Sequence, residues 1–487
     1  MTMNILKKIL ILLLVIVFLL AIVFYFVSRP DNAGVPLDDV TGTDPTLDDP
    51  VAELIPTIEL VEPVGWGQNE APSPAEGLAV GRFAEGLDHP RVLHALPNGD
   101  ILVTQTAYPD EALPEGFMGM AMAWFFDKVG AGGPSPNQLV LLRDADGDGV
   151  AELKKILRDD FDSPSGIEWN DGKLYVAQHD AVLAFDYELG SLELADEATE
   201  LMELPAGGIH WMRNLELSAD GTKLYVAVGS ASNIAENGIE AEEGRAMIWE
   251  YSLETKRRRP FAMGLRNANG LDFSPWTGEL WTTVNERDML GSDLVPDYLT
   301  NVPVGAQYGW PWVYWRDNFD RRVDAPIPAY LTEYARKPEY ALGPHVAALG
   351  LAFTREGHLM GEKFASGAFI ARHGSWNRKP PSGYDVVYVA FDSMGNPQGK
   401  PVPVLGSFLR EDGKTRGRPT WVAWAGDGAL LVSDDTAGIV WRVSAPGAEP
   451  GKAIEQITRK RSPPRRSLTG QAASFGKDDY AREEPAQ

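Results

Sequence analysis

One histidine stands where it could act as a general base. His210 follows a Gly-Gly pair and comes shortly before the apolar run NLEL, which is typical of a β-strand. A neutral imidazole titrates near physiological pH and can accept a proton from a substrate hydroxyl. The alternative is a histidine that only makes structural hydrogen bonds, which is the interpretation we give to His89, His94, His179 and His358.

Arginine recurs at one structural position, directly before or at the start of a predicted strand. The four copies are Arg91, Arg213, Arg266 and Arg418. If these strands converge on a common axis, the guanidinium groups could bind a small planar polyanion, because arginine binds carboxylates in a bidentate manner and stacks on flat rings. Alternatively, each arginine pairs with an acidic residue of a neighbouring repeat.

A third pattern indicates a divalent cation. The segment RDADGDGVAE places Asp144, Asp146 and Asp148 at alternate positions, as in the first half of an EF-hand loop. Lys155 stands where that loop has its bidentate glutamate, and Glu152 could take its place. The segment therefore predicts a structural Ca²⁺ site, with a plain acidic turn as the alternative.

The elements that carry these residues are repeated hairpins. Six times, a polar residue and a glycine stand at a turn that an apolar strand follows, and most copies also have an apolar strand before the turn. The turn glycines are Gly99, Gly172, Gly221, Gly278, Gly357 and Gly428. A hairpin that recurs at long intervals is typical of a β-propeller, with one blade per copy. We therefore predict an all-β fold, a six-bladed β-propeller with long loops, over residues 78–445.

Composition excludes several function classes. The 487 residues carry a net charge of −25, which disfavours nucleic acid as a partner because its phosphates would be repelled. The chain has no cysteine, so thiolate catalysis, disulfides and cysteine-ligated metals are excluded.

The sequence outside the repeats predicts a membrane anchor and a linker. Residues 9–27 are an uninterrupted apolar run preceded by two lysines, which predicts an N-terminal transmembrane helix within residues 1–28, with a cleaved signal peptide as the alternative. This orientation would place the propeller on the periplasmic or extracellular side of the cytoplasmic membrane. Residues 29–77 are acidic and proline-rich and predict an extended linker, and residues 446–487 predict a disordered polar tail. The basic run RKRSPPRR (459–466) in that tail either binds anionic lipid or stays solvated.

Several longer motifs point to a known family. They include GLRNANGLDFSPWTGELWTTVNERDMLGSDLVPDYL, YGWPW, HVAALGLAF and HGSWNRKPPSGY. At these residues the chain resembles the sorbosone dehydrogenase-like enzymes, relatives of soluble quinoprotein glucose dehydrogenase. The resemblance extends over nearly the whole repeat region and implies an enzyme that oxidises a sugar or related polyol with pyrroloquinoline quinone and Ca²⁺.

The resemblance also implies catalytic roles. In such enzymes a histidine takes the proton of the sugar hydroxyl while hydride passes to the quinone, whose carbonyl is polarised by Ca²⁺. Matched motif by motif, the base is His210, and Arg266 and Asn267 contact the reactive carbonyls of the quinone. The spacing around His210 departs from the family pattern, because Ile209 intervenes and Met212 replaces a threonine.

The remaining implied residues bind the cofactor and the metal. His373, Arg418 and, more loosely, Arg91 would lie against the quinone ring or its carboxylates. The loop NERDMLG follows its strand where relatives bind the catalytic Ca²⁺ largely through main-chain carbonyls, and Arg287 and Asp288 are the residues predicted there.

Two other functions remain open at this point. A Ca²⁺-dependent propeller hydrolase of the lactonase type would need acidic and amide side chains on the axis, where this chain has arginines. A non-catalytic propeller would bind a partner or glycan and no cofactor. For the dehydrogenase, the predicted partners are a sugar, an electron acceptor that is a quinone or a cytochrome, and the membrane.

Overall fold

The computed structural model describes residues 30–109, 113 and 116–457, and six single positions between residues 7 and 18. The first of two compact units, residues 1–454, contains all the strands reported below. The second unit is residues 455–487, of which 455–457 are described and lie outside helices and strands. The basic run at 459–466 and most of the apolar run at 9–27 lie outside the described residues. In the described part of the chain, none of the helices combines the length and the apolar character needed to cross a bilayer.

Six antiparallel four-stranded sheets form the blades of a propeller, which confirms the predicted all-β fold. From the innermost strand outward, blade 1 has Pro90–Ala95, Ile101–Gln105, Gln138–Arg143 and Leu153–Arg158, and blade 2 has Ile167–Asn170, Lys173–Ala177, Ala181–Asp186 and Thr199–Glu203. Blade 3 has Arg213–Leu217, Lys223–Val228, Met247–Ser252 and Arg257–Met263, and blade 4 has Asn267–Phe273, Leu280–Asn285, Pro296–Asn301 and Tyr340–Pro344. Blade 5 has Ala348–Phe353, Gly367–Arg372, Asp385–Phe391 and Pro397–Gly406, and blade 6 has Pro419–Trp424, Leu430–Asp434, Ile439–Ser444 and Ala79–Glu85.

The N-terminal part of the chain closes the ring, because the outermost strand of blade 6 comes from residues before blade 1. Short strands extend two blades: Ala306–Gln307 adds to blade 3 and Ser73–Pro74 adds to blade 5. A separate two-stranded ladder joins Val313–Tyr314 to Asn318–Phe319. The described helices are Gly116–Lys128 and Leu331–Tyr334, with 3₁₀ turns at Ile239–Glu242 and Glu362–Phe364.

All six repeated glycines lie between the innermost and second strands of their blades, as predicted. Each blade therefore begins at one face of the ring, which we call the mouth face, and makes its first hairpin at the opposite face, the turn face. The innermost strands of adjacent blades contact one another around the whole ring. A Cβ on Gly270 would lie 2.4 Å from the Leu349 carbonyl oxygen of the next blade, so glycine permits this close approach of main chains.

The core lies between neighbouring blades, where the alternate side chains of facing sheets meet. One cluster joins blades 5 and 6 around Trp441, Phe369 and Tyr388, and another joins blades 3 and 4 around Ile248 and Tyr298. Burial of this apolar surface stabilises the ring by roughly 25 cal/mol per Å². The stiff ring holds the loops of the mouth face in fixed positions.

The linker prediction for residues 29–77 is wrong for the part that the structure describes. Residues 30–66, which we call the strap, cross the mouth face, and Val40 and Val61 within it are fully buried. Asp293 accepts hydrogen bonds from the Gly34 and Val35 amides at 2.5 and 2.9 Å, and Val51 donates to the Leu290 carbonyl at 3.0 Å. The acidic, proline-rich composition suggested self-repulsion, but these main-chain and carboxylate groups find partners on the blade loops instead.

Candidate functional site

His210 lies on the mouth face, in the loop that joins blades 2 and 3. Its Nδ1 is 2.9 Å from the Ser230 carbonyl oxygen and 3.0 Å from the Ser230 hydroxyl. Because a carbonyl can only accept, Nδ1 carries the hydrogen, and the neutral ring has its free lone pair on Nε2. Burial, reinforced by the charge of Arg266, lowers the pKa of His210 well below its ordinary value. The side chain is therefore an unprotonated base at neutral pH.

Arg213 holds the loop of His210 in place. Its guanidinium is fully buried and donates to the carbonyls of His210 at 2.7 Å, Met212 at 3.1 Å and Pro205 at 2.8 Å. These donors face main-chain oxygens of the loop itself. Arg213 is therefore a positioning residue for the base, and its η nitrogens do not face a ligand.

Asn267 and the base flank the same glycine. A Cβ added to Gly229 would lie 2.3 Å from Asn267 Oδ1 and 2.6 Å from His210 Cβ, so both side chains flank this glycine. Asn267 begins the innermost strand of blade 4 and donates to Asn285 Oδ1 at 3.3 Å. The absence of a side chain at residue 229 lets an amide and an imidazole from adjacent blades approach each other.

Arg266 lies beside this pair but is already engaged. It donates to Asp288 Oδ2 at 2.8 Å, to Asn233 Oδ1 at 2.9 Å and to the Glu286 carbonyl at 2.6 Å. His345 also bonds Asp288, through Nδ1 at 3.2 Å. Burial alone would raise the pKa of Asp288, but Arg266 and His345 hold it below its ordinary value, and Asp288 in turn raises the pKa of His345 despite burial.

A second cluster joins blades 1, 5 and 6 across the mouth. Asp435 of blade 6 pairs with Arg91 of blade 1 and accepts from His373 Nε2 of blade 5 at 2.9 Å. These two partners outweigh the effect of burial and hold the pKa of Asp435 far below its ordinary range. Arg91 Nη2 also lies 3.0 Å from Met212 Sδ, two residues after the base. The cluster thus reaches the His210 loop through Met212.

Arg418 is the arginine of this set that stays most open to a ligand. Its guanidinium carbon lies 4.9 Å from the centre of the Tyr384 ring, and its buried Nε has no hydrogen-bond partner. A buried donor without an acceptor is costly, so an anionic group at this place would stabilise it. Arg418 also lowers the pKa of His373, which burial already lowers, so the two side chains are neighbours.

The four recurring arginines are therefore not equivalent, and the two interpretations left open by the sequence apply to different members. Arg91 and Arg266 are paired with carboxylates and Arg213 donates to carbonyls, whereas Arg418 forms no ion pair with a described residue. The Nε atoms of Arg91, Arg213 and Arg418 are all buried without an acceptor. The alternative, pairing with an acidic residue of a neighbouring blade, holds for Arg91 and Asp435. Asp435 and Asp288 balance Arg91 and Arg266, so Arg418 is the guanidinium of the four best placed to bind an anionic ligand.

The metal prediction at NERDMLG finds little support in the loop geometry. Arg287 is fully buried and donates to Glu286, to the Pro311 and Val313 carbonyls and to Asp320, so its cationic side chain cannot be a ligand. The carbonyls of residues 286, 288, 289, 290 and 291 each accept a hydrogen bond already. Each of these oxygens keeps a second lone pair, so these hydrogen bonds do not decide whether the loop binds Ca²⁺. A catalytic Ca²⁺ at Arg287 and Asp288 stays a prediction from sequence.

The acidic loop at 144–152 does bring its carboxylates together. Ligand atoms of Asp144, Asp146, Asp148 and Glu152 lie within 4.8 Å of one another, so Glu152 joins the set as the sequence suggested. Asp144 also accepts from the Gly147 and Gly149 amides at 2.7 and 2.8 Å. The loop connects the third and fourth strands of blade 1, which places it on the turn face. This cluster is separate from His210 and cannot take part in chemistry at the mouth.

Sequence reasoning missed the partners that orient the site. Ser230, Asn233, His345 and Asp435 were not identified, although each bonds a predicted residue. These partners come from loops between the second and third strands of a blade or just before an innermost strand. Their position in the chain could have identified them, because every loop of these two kinds lies on the mouth face, where the predicted arginines also lie.

The residues present fit a flat anionic cofactor on the axis. Arg418 offers a buried donor that lacks an acceptor, and the space beside Gly229 keeps Asn267 and His210 close together. Arg418 and His373 would hold such a group on one side and Asn267 on the other, while Arg266, which is bound to Asp288 and Asn233, would contribute its charge. The geometry thus combines a neutral base with a cationic binding site.

Comparisons with known proteins indicate the family and the fold of the chain. A family model described as TrAA12-like matches residues 138–303 and 329–446. An uncharacterised protein of Borreliella burgdorferi is 30% identical over 298 residues, 58% of this chain and 75% of that protein. A pyrroloquinoline quinone-dependent pyranose dehydrogenase of Coprinopsis cinerea is 25% identical over 373 residues, 63% of this chain and 50% of the relative. The chain thus spans half the length of that relative.

The solved structures resemble the propeller as well. The iodide structure of a Trichoderma reesei enzyme of carbohydrate-active family AA12 superposes with a TM-score of 0.62 at 19% identity and covers 81% of this chain and 100% of that one. At this identity the likeness shows the fold.

Proposed function

Because the chain belongs to the TrAA12-like family, we propose that it is an oxidoreductase that uses pyrroloquinoline quinone to oxidise a sugar or related polyol. The pyranose dehydrogenase of Coprinopsis cinerea, one of the relatives reported above, is described as dependent on pyrroloquinoline quinone. The observation that carries the proposal is His210, a neutral base with a fixed tautomer, set beside Asn267 at a cationic mouth. The sorbosone-type substrate implied by the sequence is a narrower possibility within this class.

The proton transfer follows from the hydrogen bonds of His210. Ser230 Oγ donates to the Ser232 carbonyl at 2.7 Å, so it accepts from His210 Nδ1, as the Ser230 carbonyl does. Nε2 is left to accept the hydroxyl proton of the substrate as the alcohol carbon loses hydride. Pyrroloquinoline quinone, when bound, would accept that hydride.

The surrounding charges favour this base. Arg266 and burial both oppose the imidazolium, so His210 starts each turnover unprotonated, while Asp288 stabilises the charge that it gains. Asn267 can orient the reacting group by hydrogen bonding from the adjacent blade. Arg213 fixes the loop so that Nε2 keeps its direction. These are positioning and proton-holding roles of the chain itself.

The hydrolase alternative is less well supported by the geometry. A lactonase-type Ca²⁺ site needs free carboxylates on the axis, and the mouth carboxylates Asp288 and Asp435 are held in ion pairs with arginine and histidine. We therefore reserve Ca²⁺ for the loop of Asp144, where it would stabilise blade 1. Electron acceptor and location are proposed as in the sequence analysis: a quinone or cytochrome, at the outer side of a cytoplasmic membrane that holds residues 9–27.

The test is reconstitution of the purified full chain. The protein is incubated with pyrroloquinoline quinone, with and without Ca²⁺, and reduction of an artificial dye acceptor is followed with a panel of aldoses and polyols. The proposal expects cofactor-dependent dye reduction with at least one sugar. Lactone hydrolysis that requires Ca²⁺ and no cofactor would favour the hydrolase. Absence of cofactor binding and of both activities would leave a non-catalytic propeller.

A further inference from the structure

The mouth face carries an apolar surface built from the strap. Its members are large apolar side chains that point to solvent: Val51, Leu54, Ile55, Ile58, Leu60 and Val64. Leu54 has 81% of its side chain exposed, more than any other residue of this set. Single exposed apolar residues are ordinary, but six within one short segment form a patch of the kind that marks an interaction surface.

The acidic residues between these apolar side chains have partners of their own. Glu53 bonds Asn377 at 3.0 Å, Glu59 lies 3.4 Å from the Lys379 ammonium and Glu62 lies 2.7 Å from that of Lys414. Lysines of the blade loops therefore balance the charges of Glu59 and Glu62, whereas Glu53 is held by the neutral amide of Asn377. From residue 51 to residue 64, the side chains that the strap exposes are therefore mainly apolar. The exposed aspartates of the strap, Asp38, Asp39, Asp44, Asp48 and Asp49, all precede this stretch.

The helix Gly116–Lys128 continues the same surface. It belongs to the long loop of blade 1, and Met120 and Trp124 on it are 66% and 58% exposed. On the inner side of the helix, Phe126 stacks on Tyr108 with ring centres 4.1 Å apart, and the Tyr108 hydroxyl donates to the Ile209 carbonyl at 3.0 Å. The helix thus lies over the mouth, directly next to the loop of the base.

Strap and helix are contiguous through Trp376. The Glu59 amide donates to the Trp376 carbonyl at 3.2 Å, and the Phe125 ring centre lies 6.4 Å from that of Trp376. Pro63 of the strap is so near to Gly130, just after the helix, that a Cβ there would lie 2.8 Å from Pro63 Cγ. The exposed apolar residues of both elements therefore form one surface, which we call the apolar face.

We propose that the apolar face rests on the lipid bilayer that holds residues 9–27, so that the mouth of the propeller is turned toward the membrane. This inference rests on the proposed N-terminal anchor. Three residues separate the predicted span from Asp31, which is already fixed to the mouth face because the Ser292 amide donates to its carboxylate at 2.6 Å. Even when fully extended, the intervening chain reaches only about 14 Å. The anchor therefore cannot let the mouth face turn away from the bilayer surface.

The chemistry of the apolar face suits a lipid surface. Trp124 and Trp376 are residues of the type enriched where a protein meets the membrane interface, and the helix is short and apolar and ends with Asp127 and Lys128. The net charge of −25 gives no attraction to anionic lipid, so docking depends on apolar insertion and on the tether. The strap contacts loops of blades 4 to 6, and the helix extends from Trp376 of blade 5 to the loop of the base, where Tyr108 contacts Ile209.

The absence of native cysteine allows a direct test with single labels. The variants Leu54→Cys and Trp124→Cys report the apolar face, and Met394→Cys is the matched control, because Met394 is 58% exposed in a hairpin of the turn face. Each full-length variant is labelled with an environment-sensitive fluorophore and assembled into phosphatidylcholine nanodiscs with and without lipids that carry a quencher in the acyl chain. None of the three positions lies in the site, so turnover should match that of the wild type.

The proposal expects the emission at residues 54 and 124 to shift to the blue and to be quenched by the lipid probes, with no change at residue 394. Equal emission at all three positions in assembled nanodiscs would overturn the docking. A blue shift that depends on protein concentration and ignores the lipid quencher would also overturn it, since a second copy of the chain would then cover the face. Failure of the chain to enter nanodiscs would overturn both the anchor and the docking. Cofactor-dependent turnover of the same protein in detergent would then still support the proposed dehydrogenase function.

Discussion

Gly229 offers a sharp test of the site, because its missing side chain is what lets His210 and Asn267 approach. In Gly229→Ala the new Cβ would lie 2.3 Å from Asn267 Oδ1 and 2.6 Å from His210 Cβ. To reach ordinary contact, one or both side chains must move by about 1 Å, and a misplacement of that size costs about 10²-fold in rate. That loss equals about 2.7 kcal/mol of transition-state stabilisation. We expect kcat/KM of the cofactor-loaded enzyme to fall by this amount.

The matched control is Gly270→Ala. Its Cβ would meet the Leu349 carbonyl at 2.4 Å and the Leu351 amide at 2.6 Å, which are main-chain atoms of the next blade. An added methyl group that clashes with side chains, as in Gly229→Ala, or with main chain, as in Gly270→Ala, costs about 1–3 kcal/mol of stability. Both variants should therefore melt at a lower temperature than the wild type. Steady-state kinetics at saturating cofactor and thermal unfolding are measured on both proteins. If Gly229→Ala keeps wild-type kcat/KM while it melts earlier, the base and its neighbour do not form the site.

Three further outcomes follow from the titrating groups and the acidic loop. Because burial and Arg266 keep the pKa of His210 below 6.5, kcat/KM should stay level from pH 8 to 6.5 and fall only in more acid solution; a midpoint above pH 6.5 would contradict the assignment. Glu168 lies on the innermost strand of blade 2, and burial raises its pKa to about 8. Because the unfolded chain releases this proton near pH 4.5, the group contributes stability that is fully present below pH 4.5 and is lost as the pH rises through 8. Glu168→Gln should therefore raise the melting temperature more at pH 9 than at pH 5, and an equal effect at both would refute this. Ca²⁺ at about 100 times its dissociation constant should stabilise the wild type by about 2.7 kcal/mol, and Asp144→Asn should abolish that gain; no difference between the two proteins would mean that the loop is a plain turn.

The architecture was predictable because the turn glycines of the six hairpins recur in register with apolar strands. The same regularity placed His210, Arg266 and Asn267 at one face, since every innermost strand begins there. The strap was not predictable, because its contacts join residues more than 250 positions apart, such as Gly34 and Asp293. Its composition resembled a linker, and only the partners supplied by the blade loops turn it into an ordered segment.

The arginines illustrate the limit of reasoning from spacing. Recurrence at the start of four blades placed the arginines at the mouth face, but it could not show which guanidinium groups are paired with carboxylates. Asp435 neutralises Arg91 from a different blade, and Asp288 reaches Arg266 from a loop that shares no pattern with it. Charge balance is set by long-range contacts, so the open donor of Arg418 became visible only in three dimensions.

The central claim is that His210 is the base of a quinone-dependent dehydrogenase, and a single-turnover experiment tests it most directly. Pyrroloquinoline quinone is titrated into the wild type, His210→Gln and the control His358→Gln, whose histidine lies in a hairpin of the turn face. A saturating sugar is then mixed in, and reduction of the bound cofactor is followed by absorbance. We predict equal cofactor affinity in all three proteins and reduction slowed by about 10²–10⁴-fold in His210→Gln alone. Reduction at the wild-type rate in His210→Gln, or the same loss in His358→Gln, would contradict the account.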